Sequence, residues 1–278
     1  MRWIIGDIHG MLKPLEMLVE MVRRADSQAQ FIFAGDYINR GPDSRAVIDL
    51  LLSLADCSCF LRGNHDDIFG EILLGQTYTP NASQGNRLLA YKWFMQHGLD
   101  NTLTSYGADW AELEYLLKHP DEQRLDQVLQ AIPETHRNFI RNLKPIYEAE
   151  DFFVAHGKWD PDDHDQKPSL SYQLSRSTVH RELLMWGRFT SDEIVRPKAW
   201  NRIGYFSHTP VENYPKLLPR GQYIPIVGPK IVLVDTGVAL SPLGRLTAFC
   251  HESQAFLQTS HFGTRVTLEM QKHSHSPV

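Results

Sequence analysis

Residues 31–41 read Phe31-Ile32-Phe33-Ala34-Gly35-Asp36-Tyr37-Ile38-Asn39-Arg40-Gly41. A short apolar run closes on Gly-Asp, and an arginine follows four residues after the acid. Runs this short, rich in aromatic and β-branched residues and bounded by glycine, predict buried strands rather than helices. The same layout recurs on either side. Residues 2–5 run into Gly6-Asp7-Ile8-His9-Gly10, and residues 57–61 lead to Gly63-Asn64-His65-Asp66. Later, residues 152–155 precede His156-Gly157, residues 203–206 precede Ser207-His208-Thr209, and residues 230–234 precede Asp235-Thr236-Gly237. Between the first three runs lie helical patterns: Leu12, Leu15, Leu18, Val19 and Val22, then Val47, Ile48, Leu51, Leu52 and Leu54. Strands alternating with helices predict an α/β fold with βαβ units and largely parallel pairing.

The whole chain fits that reading. Its 278 residues are 42% hydrophobic and 22% charged, which is globular composition and excludes a disordered, collagen-like or coiled-coil chain. No stretch approaches the ~20 apolar residues of a membrane span. Asp7 follows the start too closely for a signal-peptide apolar region, so a cytoplasmic location is expected. Acids exceed bases, 33 to 28, and no basic stripe offers a surface for nucleic acid. Three cysteines form no disulfide framework and suit a reducing compartment. The oligomeric state has no signature here. From about residue 68 to 145 the chain turns helical, interrupted at 75–85 and by Pro120 and Pro133, and reads as an insertion packed over one end of the sheets. One domain is expected over residues 1–260, with an extension over 261–278 whose polar end, containing His273 and His275, is expected to be disordered.

Oxygen and imidazole donors collect where the strands end: Asp7 and His9, Asp36, Asn64 and His65, His156, and His208. Two carboxylates, one amide oxygen and three or four imidazoles suit manganese, iron or zinc, and the absence of cysteine argues against a thiolate site. Two metals ~3.5–4 Å apart need an anionic bridge, which a carboxylate such as Asp36 can supply. Parallel strands bring their C-terminal ends to one edge, where distant residues converge. Taken singly, Gly-Asp is usually a turn, and Asn64-His65-Asp66 could be an Asx turn. Their fixed order, each after an apolar run, is what favours the joint reading.

These motifs resemble those of the calcineurin-like metallophosphoesterases, and among them the phosphoprotein phosphatases. The matching segments are Gly6-Asp7-Ile8-His9-Gly10, Gly35-Asp36 through Arg40-Gly41, and Gly63-Asn64-His65-Asp66, with His156-Gly157 and His208-Thr209-Pro210 as the later histidine motifs. The resemblance spans about residues 2–250 and implies a four-layer sandwich, two β-sheets flanked by helices, with a dinuclear centre at the sheet ends. By the same likeness, Asp7 and His9 hold one metal, Asp36 bridges, and Asn64, His156 and His208 hold the second. Manganese is the first choice, iron or zinc the alternatives. His65 would be the general acid, Arg40 the phosphate clamp, and Arg188 a second phosphate-binding arginine; Asn64 would also touch substrate. The implied reaction is direct attack of a metal-held hydroxide on a phosphorylated substrate, either a phosphoprotein or a small phosphoester or dinucleotide.

One position departs from the pattern. The family usually carries Asp before the arginine, and here it is Asn39. An amide lacks the charge that raises an imidazole pKa, so His65 should be less protonated at neutral pH. Asn39 is expected to accept a hydrogen bond from His65 through its oxygen, with Asp66 or Asp67 as compensating carboxylates. Alkyl phosphoesters need a protonated leaving group and phosphoanhydrides need it less. Through Trp93, Gly98 and Thr102-Leu103-x-Ser105-Tyr106-Gly107, the helical insertion nevertheless resembles that of the bacterial Ser/Thr phosphatases, and this likeness implies a phosphomonoesterase of that type. The alternatives are a symmetrical diadenosine tetraphosphate hydrolase and a catalytically weak phospho-ligand-binding protein. Trp93, Phe94, Trp110, Tyr115 and Trp186 read as core rather than as a stacking surface. His97 and His119 read as surface residues, and the acidic run at 160–165 as a solvated loop.

Overall fold

Strands buried on both faces need an apolar side chain at every position, and side chains alternate between the faces. The computed structural model describes residues 1–79, 85–159, 178–198 and 200–266. It forms two sheets. In the first, β1 (Arg2–Ile5), β2 (Gln30–Phe33) and β3 (Ser58–Phe60) pair in parallel. In the second, β4 (Ile146–Glu148) borders β5 (Phe152–Ala155), β6 (Ile203–Phe206) follows, and β7 (Ile226–Val227) borders β8 (Ile231–Leu233). The first sheet is completed by β9 (Arg245–Cys250), β10 (Phe256–Ser260) and β11 (Arg265–Val266). The strand orders are β11-β10-β9-β1-β2-β3 and β4-β5-β6-β8-β7.

Pairing is parallel along β1-β2-β3, which runs to one edge of the first sheet, and along β5-β6-β8 at the centre of the second. The run β9-β10-β11 and the edge strands β4 and β7 are antiparallel, which corrects the expectation of largely parallel pairing. Ordered pairing also continues to Val266, past the expected end at residue 260. Polar residues hid these strands. Thr247, Gln258 and Thr259 are buried on β9 and β10 and break the apolar pattern, yet Gln258 donates to the Thr247 hydroxyl at 2.7 Å and Thr259 to the Pro14 carbonyl at 3.0 Å.

Alternation sorts the strands into layers. Ile4, Ile32 and Ala34 face Phe152, Val154, Tyr205 and Val232 between the sheets. Trp3, Ile5, Phe31 and Phe33 face outward under helices α1 (Leu12–Ala25) and α2 (Ser44–Ser53). The predicted insertion supplies α3 (Asn64–Leu74), α4 (Arg87–Met95), α5 (Leu99–Ser105), α6 (Trp110–Lys118), α7 (Glu122–Leu129) and α8 (Glu134–Arg141). Its Tyr91, Phe94, Leu99, Leu113, Leu125 and Ile140 join that same apolar cluster. On the other side, Phe153, Ala155, Phe206 and Leu233 pack under α9 (Thr178–Trp186) and α10 (Ser191–Val195). The result is helices, sheet, sheet, helices, as the resemblance implied. Trp110 and Tyr115 are not core residues; they stand 54% and 46% exposed on α6. Among the described residues no helix is long and apolar enough to cross a membrane. The acidic run at 160–165 and the tail with His273 and His275 lie outside the described residues.

Candidate active site

The parallel strands of both sheets end on one edge, and each hands a polar residue to the same cleft. Asp7 and His9 follow β1, Asp36 follows β2, Asn64 opens α3 after β3, His156 follows β5, and His208 follows β6. The turns that aim these side chains are unusual. Of six non-glycine residues with positive φ among the described residues, His9, Asp36, Asn39, Arg40 and His208 are five. Left-handed backbone is costly for such residues and persists where the surroundings enforce it. Gly63 allows the closest approach: a Cβ there would stand 2.1 Å from the Asp36 Oδ1.

Two histidines have their tautomers fixed from behind. His9 Nδ1 lies 2.9 Å from the Ile38 carbonyl, and His156 Nδ1 lies 2.9 Å from that of Ala34. A carbonyl only accepts, so each Nδ1 carries the proton and each Nε2 presents a lone pair. Those lone pairs point at other acceptors. His9 Nε2 is 3.5 Å from Asp36 Oδ2 and 3.7 Å from Asp7 Oδ2. His156 Nε2 is 2.9 Å from Asn64 Oδ1 and 3.5 Å from Asp36 Oδ1. His208 Nδ1 also reaches Asn64 Oδ1, at 3.0 Å. Buried acceptors facing acceptors repel one another unless a cation lies among them, and backbone-anchored imidazoles are how such ligands are held. The donor set fits divalent metal ions. Two groups of donors lie close together, His9–Asp36–His65 and Asp36–His156–His208; Asp36 turns Oδ2 toward His9 and Oδ1 toward His156, while Asp7 flanks the first group and Asn64 the second.

The electrostatics agree. Burial, then the Asp235 and Asp36 carboxylates, push Asp7 well above the usual carboxylate range, and burial and Asp66 do the same to Asp36. Burial holds His9 and His208 well below the usual imidazole value and takes His156 down to about 3. Neutral imidazoles are the form that ligates a metal. Ser207 donates its hydroxyl to Asp7 Oδ1, with the His208 amide at 3.3 Å, and fixes that carboxylate's rotamer.

His65 differs from its neighbours. The Asn39 amide donates from Nδ2 to His65 Nδ1 at 2.9 Å, and its oxygen accepts the Thr102 hydroxyl at 2.8 Å. Thr102 in turn accepts the Asn39 backbone N–H at 2.9 Å. The expectation that Asn39 accepts from His65 is therefore corrected. His65 Nε2 carries the proton and is a hydrogen-bond donor rather than a ligand, although its ring lies close enough to His9 and Asp36 to fall in the first group. Burial holds His65 well below its ordinary pKa, with His9 and Arg40 adding to the effect. Neither expected carboxylate compensates. Asp66 accepts the backbone N–H groups of Asp36, Tyr37 and Gly63, and Asp67 those of Tyr78 and Thr79.

Arg40 and Arg188 line the same cleft, a cavity of about 320 Å³ that also exposes Asp7, His9, Asp36, Asn64, His65 and His208. Asn101 Nδ2 grips the Arg40 carbonyl at 2.6 Å, and Arg188 donates to the Thr209 hydroxyl at 3.1 Å. His97, read as a surface residue, lines the cleft, and so do Asp235, Glu212 and Trp186. Asp235 sits after β8 in the strand-end pattern, the one signal that could have included it; burial raises it to about 6. His119 is exposed, as expected.

The family described as calcineurin-like phosphoesterase matches residues 2–220. A symmetrical bis(5'-nucleosyl)-tetraphosphatase of Ectopseudomonas mendocina is 29% identical over 149 residues, 54% of this chain and 51% of its own length. One from Bordetella pertussis is 40% identical over 65 residues, 23% of this chain and 24% of its own. The chain thus spans about half the length, or less, of these curated relatives. Among solved structures, a protein provisionally called a diadenosine tetraphosphatase superposes with a TM-score of 0.52 at 19% identity, covering 93% of this chain and 92% of that one. A cold-active protein tyrosine phosphatase of a Shewanella species gives 0.51 at 15%, covering 96% and 80%. These likenesses fix the fold, and the family match covers most of the chain. The chain belongs to the calcineurin-like phosphoesterases, hydrolases of phosphorylated substrates that use divalent metal ions.

Proposed function

We propose that the protein hydrolyses phosphoanhydrides, cleaving a dinucleoside tetraphosphate symmetrically so that one water and one substrate yield two nucleoside diphosphates. The observation that carries this is the donated hydrogen bond from Asn39 to His65 Nδ1. A donor at Nδ1 disfavours the imidazolium, whereas a carboxylate there would favour it. Neutral His65 keeps one proton, on Nε2, and serves as a hydrogen-bond donor to the departing oxygen. That suffices for a nucleotide phosphate, which leaves as a stable anion. It serves poorly for the alkoxide of serine or threonine, which must be protonated as it departs. The relatives named as symmetrical tetraphosphatases support the same choice.

The roles follow from position. Asp7 and His9 would hold one metal ion, Asn64, His156 and His208 the other, with Asp36 shared. Bound cations supply Lewis acidity, lowering the pKa of a water and offsetting phosphate charge. Arg40 and Arg188 hold equatorial phosphate oxygens through their planar forks. Phosphomonoester hydrolysis of Ser/Thr type, favoured from the sequence, is the reading this one displaces.

The test is a paired assay on manganese-loaded protein, with diadenosine tetraphosphate in one arm and phosphoserine or phosphothreonine peptides in the other. An Asp36→Asn control removes contaminating activity from the comparison. The dinucleotide is expected to dominate in kcat/KM and to give ADP alone. Dominance of the peptides would restore the phosphatase reading, and silence in both arms of a folded, metal-loaded protein would leave the binding-only alternative.

A further inference from the structure

The cleft is polar around the candidate metal donors, yet one wall is aromatic. Trp186 lies half-buried on that wall, with its ring centroid 6.1 Å from that of His208 and the planes at 85°. Behind it stands Trp93 of α4, stacked at 5.7 Å and 18°. Trp93 packs against the large core beneath the helical segment, and Trp186 packs against both that core and the one under α9. The ring is therefore braced from two sides. The chain leaving it is fixed as well: Gly187 donates to the Leu183 carbonyl at 2.8 Å, and its own carbonyl accepts from Lys158 at 3.0 Å. Arg188, two residues after the tryptophan, lines the same cleft.

The geometry points to Trp186 as the platform on which a nucleobase of the substrate stacks, with Trp93 holding the platform in place. This rests on the dinucleotide reading and adds to it the residue that recognises the base. A phosphate clamp and a flat aromatic surface two residues apart match a nucleoside diphosphate, whose charged and aromatic ends are joined by a short sugar link. A phosphoserine side chain has no aromatic face to offer. A residue that only tied the two cores together would gain nothing from leaving its ring open to a phosphate cleft, because exposed aromatic area forfeits burial energy. Base–aromatic stacking gives an affinity gain of about tenfold, and it is tolerant of base identity because every base has a π-face.

Calorimetry on the full 278-residue chain, loaded with manganese, compares ADP with inorganic pyrophosphate, which has the same phosphates and no base. ADP is expected to bind about tenfold more tightly. Trp186→Ala should bring the two affinities together, and Trp186→Phe should keep most of the preference. Equal binding of ADP and pyrophosphate by the parent protein overturns the platform, and that measurement needs no variant to fold. A preference undiminished in Trp186→Ala overturns it too. In turnover, the ratio of kcat/KM for diadenosine tetraphosphate to that for inorganic tetrapolyphosphate should fall about tenfold in Trp186→Ala. The two proposals fail separately. A parent that prefers ADP but does not cleave the dinucleotide keeps the platform and loses the reaction; cleavage without an ADP preference does the reverse.

Discussion

At position 39 the exchange of an oxygen for an NH₂ group reverses a hydrogen bond. The neighbouring imidazole sees a donor where a carboxylate would accept, and its acid function changes with it. A general acid works in its protonated form, so activity that needs it declines as pH rises through its pKa. Burial and the Asn39 amide place that decline for His65 below the ordinary imidazole range. In Asn39→Asp the new carboxylate raises the pKa, and the alkaline limb should move to higher pH. Hydrolysis of phosphoserine peptides should rise about tenfold or more, within the usual span of acid–base assistance, while dinucleotide cleavage changes little. An unchanged pH–rate profile on the peptides would show that residue 39 does not set the protonation of His65. That position 39 departs from the family was legible in the sequence. Which end of its amide faces His65 was not, because the partners of that amide, Thr102 among them 63 residues away, meet it only in the fold.

Two tight turns at the level of the connecting elements make separable predictions. Gly63 lies between β3 and α3, where an added Cβ would strike Asp36, which belongs to both groups of candidate metal donors. Gly98, with φ +87°, opens α5, where a Cβ would come within 2.2 Å of the Arg40 backbone nitrogen. Gly63→Ala should therefore lose bound metal and activity together, read by elemental analysis and turnover. Gly98→Ala should keep its metal and lose about 100-fold in kcat/KM, since a displacement near 1 Å costs about that much. Strands that are nearly continuous apolar runs, β1, β2, β5, β6 and β8, could be read directly from the chain. The antiparallel β9 and β10 could not, because their buried Thr247 and Gln258 satisfy one another only once the strands are paired. His97 was misread for a related reason: it looks solvated in a helical stretch, and only the packing of α4 and α5 against the Arg40 turn brings it to the cleft.

For the molecule as a whole, metal and charge set stability. Buried Asp7, Asp36 and Asp235 repel each other, so bound cations should stabilise the folded state in addition to serving the reaction. Saturation well above the dissociation constant gives about 2.7 kcal/mol, and chelation should lower Tm by about 5 °C or more. Across the molecule, Arg2 joins the two sheets, donating to both Asp151 oxygens at 3.1 and 3.0 Å and to Glu252 at 2.6 Å. The Arg2 guanidinium lowers Asp151 to about 2. A depressed carboxyl stabilises the fold above its unfolded pKa of about 3.9 and loses that contribution as pH falls through its folded value. Arg2→Gln should thus lower Tm at pH 6.5, and the gap to the parent should narrow at pH 3. The effect is modest, as Asp151 is half exposed.

The strand that carries Arg2 lies inside its sheet, bordered by β2 on one side and by β9 on the other, with Trp3 opposite Cys250. During synthesis β1 and β2 emerge early and can pair, but the second edge of β1 stays open until some two hundred further residues have been made. A nascent chain in that interval is a half-finished sheet whose central apolar strand has a free side, the situation in which chaperones bind and neighbouring chains associate. The order of translation therefore makes the arrival of β9 the step that closes the sheet.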